Sequence, residues 1–258
     1  MTDLDTAYNY RAFTSHRKLA ATAGDLLNDF TISTKVGFFQ GNRRHEHSLD
    51  PVRLRRAVHE SVQDLGVQPD VVLLHNPERT LATLAPEPGR DCWAAACTAL
   101  DDMATAGLCR SWGVSCWDPR PVLTVLDRAL PTPARIMVCA GLLVRPEILD
   151  ASERLANWFG LSAPARWGMS PYRGQATHPI WGKVDARQLL QGDWGCSPIS
   201  ATFRLAYELP QVTRVAVGVS TAEHLAELVT AASFQVDHDR IGRYRSLLRA
   251  KALATEAS

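Results

Sequence analysis

The chain has 258 residues, 46% of them hydrophobic and 21% charged, which suffices to bury a sizeable core in one large domain or two small ones. Twenty-eight Lys and Arg against 27 Asp and Glu leave a formal net charge of +1, so no molecule-wide field favours nucleic acid or an anionic membrane. No apolar run reaches the roughly 18 to 20 residues that a membrane span needs, and the acidic start lacks a basic region followed by an apolar one, so the expectation is a cytoplasmic protein.

In chain order, "TDLDTA" reads as a short strand and "SHRKLAATAGDLL" as a helix, followed by "FTISTKVGFF" as a buried strand and "DPVRLRRAVHESVQDLG" as an amphipathic helix. "PDVVLLHNP", "CRSWGVS", "ARIMVCAGL", "ARWGMS" and "TRVAVGVS" continue as strands. Between and after them, "CWAAACTALDDMATAG", "RPVLTVLDRAL", "PEILDASERLANWFG", "ISATFRLAYEL" and "TAEHLAELVTAA" read as helices. Near-continuous apolar strands separated by helices imply a parallel sheet covered on both faces, either doubly wound or closed as a (β/α)8 TIM-type barrel. The barrel is favoured because no G-x-G-x-x-G follows the first strand and polar residues gather just past the strand C-termini. The alternation amounts to about seven βα units. Without linker or composition break, residues 1–258 read as one domain, with a basic C-terminal helix at about 237–254.

Three consecutive strands end on ionisable groups. Asp5 and Tyr10 follow the first, Lys35 ends "ISTK" and His75 ends "VVLLH". In a barrel these converge at one rim. A lysine buried there needs a compensating carboxylate, and Asp5 is the nearest candidate in sequence. Taken singly, each has an ordinary structural reading: turn former, rim aromatic, solvated tip, satisfied hydrogen bonder. Together, "DTAYNY", "ISTKVG" and "LLHNPE", followed by "SWGVS" and "AVGVSTAEHLAEL", resemble the aldo-keto reductase family along most of the chain.

That resemblance implies a catalytic set of Asp5, Tyr10, Lys35 and His75 in an NADPH- or NADH-dependent oxidoreductase. Tyr10 would act as general acid in reducing a small-molecule carbonyl or, in reverse, oxidising an alcohol. It also implies cofactor contacts at Ser115, Met169, Gly218, Ser220 and Thr221. The grip departs from the family pattern: Cys116 stands where an asparagine is usual, "ARIMVCAGL" lacks the usual glutamine, and Gly218 and His224 stand where Lys and Arg often meet a 2′-phosphate. Weak or absent dinucleotide binding, with little discrimination between NADPH and NADH, is the resulting expectation. The chain begins at what resembles the family's second barrel strand. A barrel lacking its first βα unit is therefore expected, with an open edge that a second copy or the C-terminal helix would cover.

The segment "SPYRGQATHPIWGKVDARQLLQGDWGCS" carries Tyr172, Arg173, His178, Trp181 and Trp194, and with Trp167 it suits a lid over substrate. Arg173 could reach a substrate anion. "GNRRHEHS" has an H-x-H without a third ligand and reads as a solvated loop, not a metal site. Cys92, Cys97, Cys109, Cys116, Cys139 and Cys196 form no C-x-x-C pair and read as reduced structural thiols. Two other functions fit the same residues: a cofactor-independent dehydratase, lyase or isomerase using the same acid–base set, and a non-catalytic barrel that only binds.

Overall fold

The computed structural model describes residues 2–41, 45–192 and 195–256. Its elements are β1 (Asp3–Asp5), α1 (Tyr10–Phe13), α2 (Ser15–Ala23), β2 (Thr31–Val36), β3 (Phe38–Gln40), β4 (His45–His47), α3 (Pro51–Leu65), β5 (Val71–His75), α4 (Glu78–Leu81), α5 (Pro86–Thr105), β6 (Ser111–Cys116) and α6 (Arg120–Leu123), then β7 (Arg135–Cys139), α7 (Pro146–Trp158), β8 (Arg166–Met169), α8 (Pro198–Leu205), β9 (Arg214–Ala216), α9 (Ala222–Ala231) and α10 (His238–Glu256). Internal contacts divide the chain into two units, Met1–Met137 and Val138–Ser258, with the boundary inside β7.

The first unit holds the sheet order β1-β2-β5-β6-β7. Parallel pairing sets Asp5 beside Ser33, Lys35 beside Leu73 and His75 beside Ser115. All five residues of β5 are buried, as expected of a parallel strand covered on both faces. The helix α3 shows how local sequence sets its ends. Asp50 accepts from the Arg53 amide at 2.9 Å, Pro51 opens the first turn, and Gly66 closes the helix at φ 71°. Between these caps, Leu54, Ala57, Val58, Ser61 and Leu65 recur at helical spacing and form its buried face.

Three expected segments differ. "FTISTKVGFF" is not one strand: it breaks at Gly37, whose φ of 144° suits glycine, and the chain turns into a β3–β4 antiparallel ribbon pairing Phe38 with His47. A Cβ at residue 37 would also sit 3.0 Å from the His75 carbonyl oxygen. "GNRRHEHS" is accordingly not all loop, since His45–His47 pairs as β4; Arg43 and Arg44 lie outside the described residues. "RPVLTVLDRAL" is helical only over α6, because Asp127 accepts from the Ala129 amide at 2.9 Å and makes a turn instead.

The second unit continues with β7-β8-β9, β8 and β9 being parallel. Phe203, Leu228 and Ala231 form a core cluster with Tyr172, Tyr207, Val215 and Phe234 against it. The C-terminal helix α10 is tied to α7 by Arg245–Glu153 at 2.6 Å and Arg249–Asp150 at 2.5 Å. Tyr244 also donates to the Leu142 carbonyl at 2.6 Å. Among the described residues, no helix is long and apolar enough to cross a membrane.

Candidate active site

Side chains alternate along β2, so Ser33 and Lys35 share a face, and β1 lies beside it in register. Asp5 therefore meets both: Ser33 Oγ donates to Asp5 Oδ1 at 2.7 Å, and Lys35 Nζ forms an ion pair with Asp5 Oδ2. Lys35 also donates to the Thr6 carbonyl at 2.9 Å. Its side chain is 2% exposed and that of Asp5 24%, so the ammonium is withdrawn from water and depends on these partners.

After β1 the backbone follows β2, with Thr6 N on Ser33 O and Tyr8 N on Lys35 O, both at 2.9 Å. Tyr10 then stands beside the ion pair, its ring centroid 5.3 Å from Lys35 Nζ and 6.0 Å from the His75 ring. At 41% exposure it is open to solvent. Tyr8 differs: it donates to Glu60, and burial together with that carboxylate pushes its phenol up to about 12. Arg11, Ala12 and Phe13, directly after Tyr10, have φ of 51°, 53° and 64°. A left-handed turn of non-glycine residues costs on the order of 1–2 kcal/mol per residue, and strain of this kind concentrates at functional sites. Phe13 contacts Tyr8 at 5.3 Å and His45 at 5.2 Å between ring centroids, packing that offsets part of the cost.

His75 is 7% exposed. Burial first, then the charges of Lys35 and Arg79, pushes it down to about 3, so it is neutral at physiological pH. Its Nδ1 is buried without a protein partner, as are Asn76 Oδ1 and Glu78 Oε2. Buried polar atoms are usually paired, so these three leave hydrogen-bonding capacity unused at the end of β5.

The H-x-H motif acquires a different role here. His47 Nε2 lies 2.8 Å from the His75 carbonyl oxygen, which can only accept, so Nε2 carries the proton. With His47 held neutral by burial, its Nδ1 accepts from the Thr80 hydroxyl at 2.7 Å. Sequence reading also missed Ser33, whose period-two spacing from Lys35 was the available signal, and Glu78. The latter accepts from the amides of Trp117 at 2.7 Å and Asp118 at 3.5 Å, and burial pushes its carboxyl up to about 7. Among the described residues, no cluster of three or more His, Cys, Asp or Glu could hold a metal ion, and all six cysteines are free thiols.

In the second unit, Trp167 is buried, donates to the Pro164 carbonyl at 3.1 Å and lies under Arg214 at 5.3 Å. Tyr172 meets buried Trp181 edge-on at 6.2 Å, Trp181 donates to the Gln175 carbonyl at 3.0 Å, and Arg173 donates to the Leu143 carbonyl at 2.9 Å. His178 caps a short turn by accepting from the Ile180 amide at 3.1 Å. Trp194 lies outside the described residues. Met169 is buried at the end of β8.

The aldo/keto reductase family model matches residues 1–138, the stretch that carries all four rim residues. The chain belongs to the aldo/keto reductase family. Solved structures extend the likeness of fold to nearly the whole chain. The aldo-keto reductase AKR11C1 from Bacillus halodurans in its holo form is 20% identical at a TM-score of 0.72, over 96% of this chain and 82% of that one. An aldo-keto reductase from Klebsiella pneumoniae in complex with NADPH is 16% identical at 0.67, over 96% and 80%. The fold is thus the parallel α/β barrel type of these reductases. No curated protein matches the chain.

The residues at which the family resemblance implies cofactor contacts differ in their surroundings, unit by unit. Ser115 ends fully buried in β6 with Cys116 beside it, and open space lies on the Cβ side of Gly218 in the β9–α9 turn. At the start of α9, however, Thr221 Oγ1 accepts from the His224 amide at 3.2 Å. The Glu223 carboxylate is held there by its own amide and the Thr221 hydroxyl, which keep it below the usual carboxylate range. A carboxylate already occupies this helix start, and 216–224 contains no Lys or Arg. A cleft of about 890 Å³ along α9 is lined by Glu223, Glu227, Ser197 and Ser200 among others, again without a cation. A 2′-phosphate does not fit this donor set.

Burial of histidines also sets an expected pH dependence. His16, hydrogen-bonded to Thr34 Oγ1 at 2.8 Å, is pushed down to about 4 by burial, against the pull of Asp64. Below its unfolded value of about 6.5, the unfolded chain takes up a proton that the folded chain refuses. His16 and His75 therefore contribute full stability above that value, and it is lost as pH falls toward 4 and 3. Glu78 acts oppositely, its contribution being lost as pH rises through about 7. Urea denaturation of wild type and His16→Gln should show a stability difference that changes between about pH 7 and pH 5; a constant difference would remove His16 from the acid limb.

Proposed function

We propose that this protein reduces the carbonyl of a small molecule, or oxidises the corresponding alcohol, with Tyr10 as the proton donor. The observation that carries the reading is the buried Lys35–Asp5 ion pair with Lys35 Nζ 5.3 Å from the Tyr10 ring and neutral His75 on that ring's other neighbour position at 6.0 Å. A nicotinamide cofactor, when bound, supplies the hydride to the carbonyl carbon. Everything else falls to the chain. Tyr10 passes its phenolic proton to the developing alkoxide, the Lys35 ammonium stabilises the negative charge on both oxygens, and Asp5 holds that ammonium in place. His75, neutral, orients the substrate oxygen by a hydrogen bond without competing as an acid.

The family resemblance assigns the cofactor's carboxamide to Ser115 in the first unit and, in the second, its ring to Met169 and its phosphates to the turn containing Gly218, Ser220 and Thr221. Because Glu223 and the absence of cations disfavour a 2′-phosphate, NADPH is expected to bind no tighter than NADH, and both weakly. Each missing contact, a carboxamide hydrogen bond for either nucleotide or a cation for the 2′-phosphate, costs on the order of 1–3 kcal/mol, so two or three weaken binding by several powers of ten. Titration of nicotinamide fluorescence with both nucleotides, followed by turnover of an aldehyde panel, tests this. Submicromolar NADPH binding with weaker NADH would overturn the cofactor assignment; turnover of a hydroxy-carbonyl compound without either nucleotide would replace reduction by hydride-free acid–base chemistry on the same residues.

A further inference from the structure

The β3–β4 ribbon carries two arginine–phenylalanine stacks that differ in one respect. Arg53 lies 4.3 Å over Phe39 and is neutralised by Glu46, with contacts at 2.8 and 3.3 Å. Arg79 lies 5.4 Å over Phe38 and, among the described residues, has no carboxylate or other side-chain hydrogen-bond partner. Its position is fixed by the functional strand: Arg79 N donates to the Asn76 carbonyl at 3.0 Å, and the neighbouring Thr80 bonds His47, which bonds the His75 carbonyl. Phe38 meets the rings of both His75 and His47 edge-on at 4.8 Å. One aromatic ring thus connects the guanidinium to the imidazole beside Tyr10.

The carboxyl next to Arg79 in sequence is engaged elsewhere, because Glu78 Oε1 takes the Trp117 and Asp118 amides. Lys35 is already paired with Asp5. On this side of the rim Arg79 therefore stands as a cation without a carboxylate partner among the described residues, and the unpartnered Nδ1 of His75 lies on the same turn. A stacked guanidinium keeps its N–H edge free for an oxyanion, and its stack reduces the freedom lost on binding.

We propose that Arg79 recognises an anionic group of the substrate, so that this site selects carbonyl compounds bearing a carboxylate or phosphate. This rests on the carbonyl-reductase reading. Arg173, the arginine that the sequence suggested for such a role, spends a donor on the Leu143 carbonyl; Arg79 is the one placed beside His75.

The test separates binding from turnover. Calorimetry with 4-formylbenzoate and with its methyl ester, and with glyceraldehyde 3-phosphate and glyceraldehyde, is run on wild type, Arg79→Gln and Arg79→Lys, each with and without excess NADH. In wild type the anion of at least one pair should bind about tenfold or more tightly than its neutral counterpart. Arg79→Gln should erase that ratio and Arg79→Lys keep part of it, and the pair that responds distinguishes carboxylate from phosphate. Equal affinities within both pairs, no binding of either anion, or a ratio unchanged in Arg79→Gln would overturn the proposal. An Arg79-dependent preference without reduction of any aldehyde would leave it standing and reject the reductase reading instead.

Discussion

Tyr10→Phe is expected to keep the fold and lose turnover by roughly 100- to 10,000-fold, the range for removing a positioned proton donor. The substitution deletes one hydroxyl from an exposed ring, while Tyr10's approaches to Lys35 and His75 are ring contacts that phenylalanine retains. Tyr8→Phe is the control. Its hydroxyl is committed to Glu60, so the loss should appear in stability and leave kcat within a few-fold of wild type. Steady-state kinetics on an aldehyde with NADH, alongside circular dichroism, measures both. Equal losses from the two variants, or the larger loss from Tyr8→Phe, would move acid catalysis away from Tyr10.

Asp5→Asn should be the most destabilising single change at this site, by about 3 kcal/mol or more, because it strands a charged lysine that is almost wholly buried. The Thr6 carbonyl stays within 2.9 Å but carries no charge. Adding Lys35→Met to that variant should recover much of the stability, since the buried charge goes and a side chain of similar volume takes its space, while activity stays low. Urea denaturation of wild type, the single variant and the double variant reads this directly. A single-variant loss below about 0.5 kcal/mol, or a double variant no more stable than the single one, would show that the ion pair is not what holds Lys35 in place.

The alternation of apolar strands with amphipathic helices was legible because both periods are local properties: α3 begins at its capping aspartate and ends at its left-handed glycine as its residues dictate. The four rim residues were legible for a related reason. Parallel strands that all point one way bring their C-terminal ends to one side, so Asp5, Lys35 and His75 can be grouped before any distance is known. The expected weak preference between NADPH and NADH rested in sequence only on missing cations; that the Glu223 carboxylate already sits on the first turn of α9 is a matter of side-chain placement.

What the tertiary structure alone decided are partnerships across long sequence separations. Which of two nearby tyrosines is free depended on Glu60, 52 residues beyond Tyr8. The H-x-H segment could be read as solvated loop or ligand pair until β4 folded back on β3 and His47 reached the His75 carbonyl, 28 residues away. Arg79 is one charged residue among many in sequence; it stands out only once Glu78 has turned to the β6 end and Phe38 has come between the guanidinium and His75. Local patterning determines which elements form and which way their faces point, because backbone geometry repeats over a few residues. Whether a polar side chain is paired depends on the neighbour that packing brings to it, and no local period encodes that neighbour.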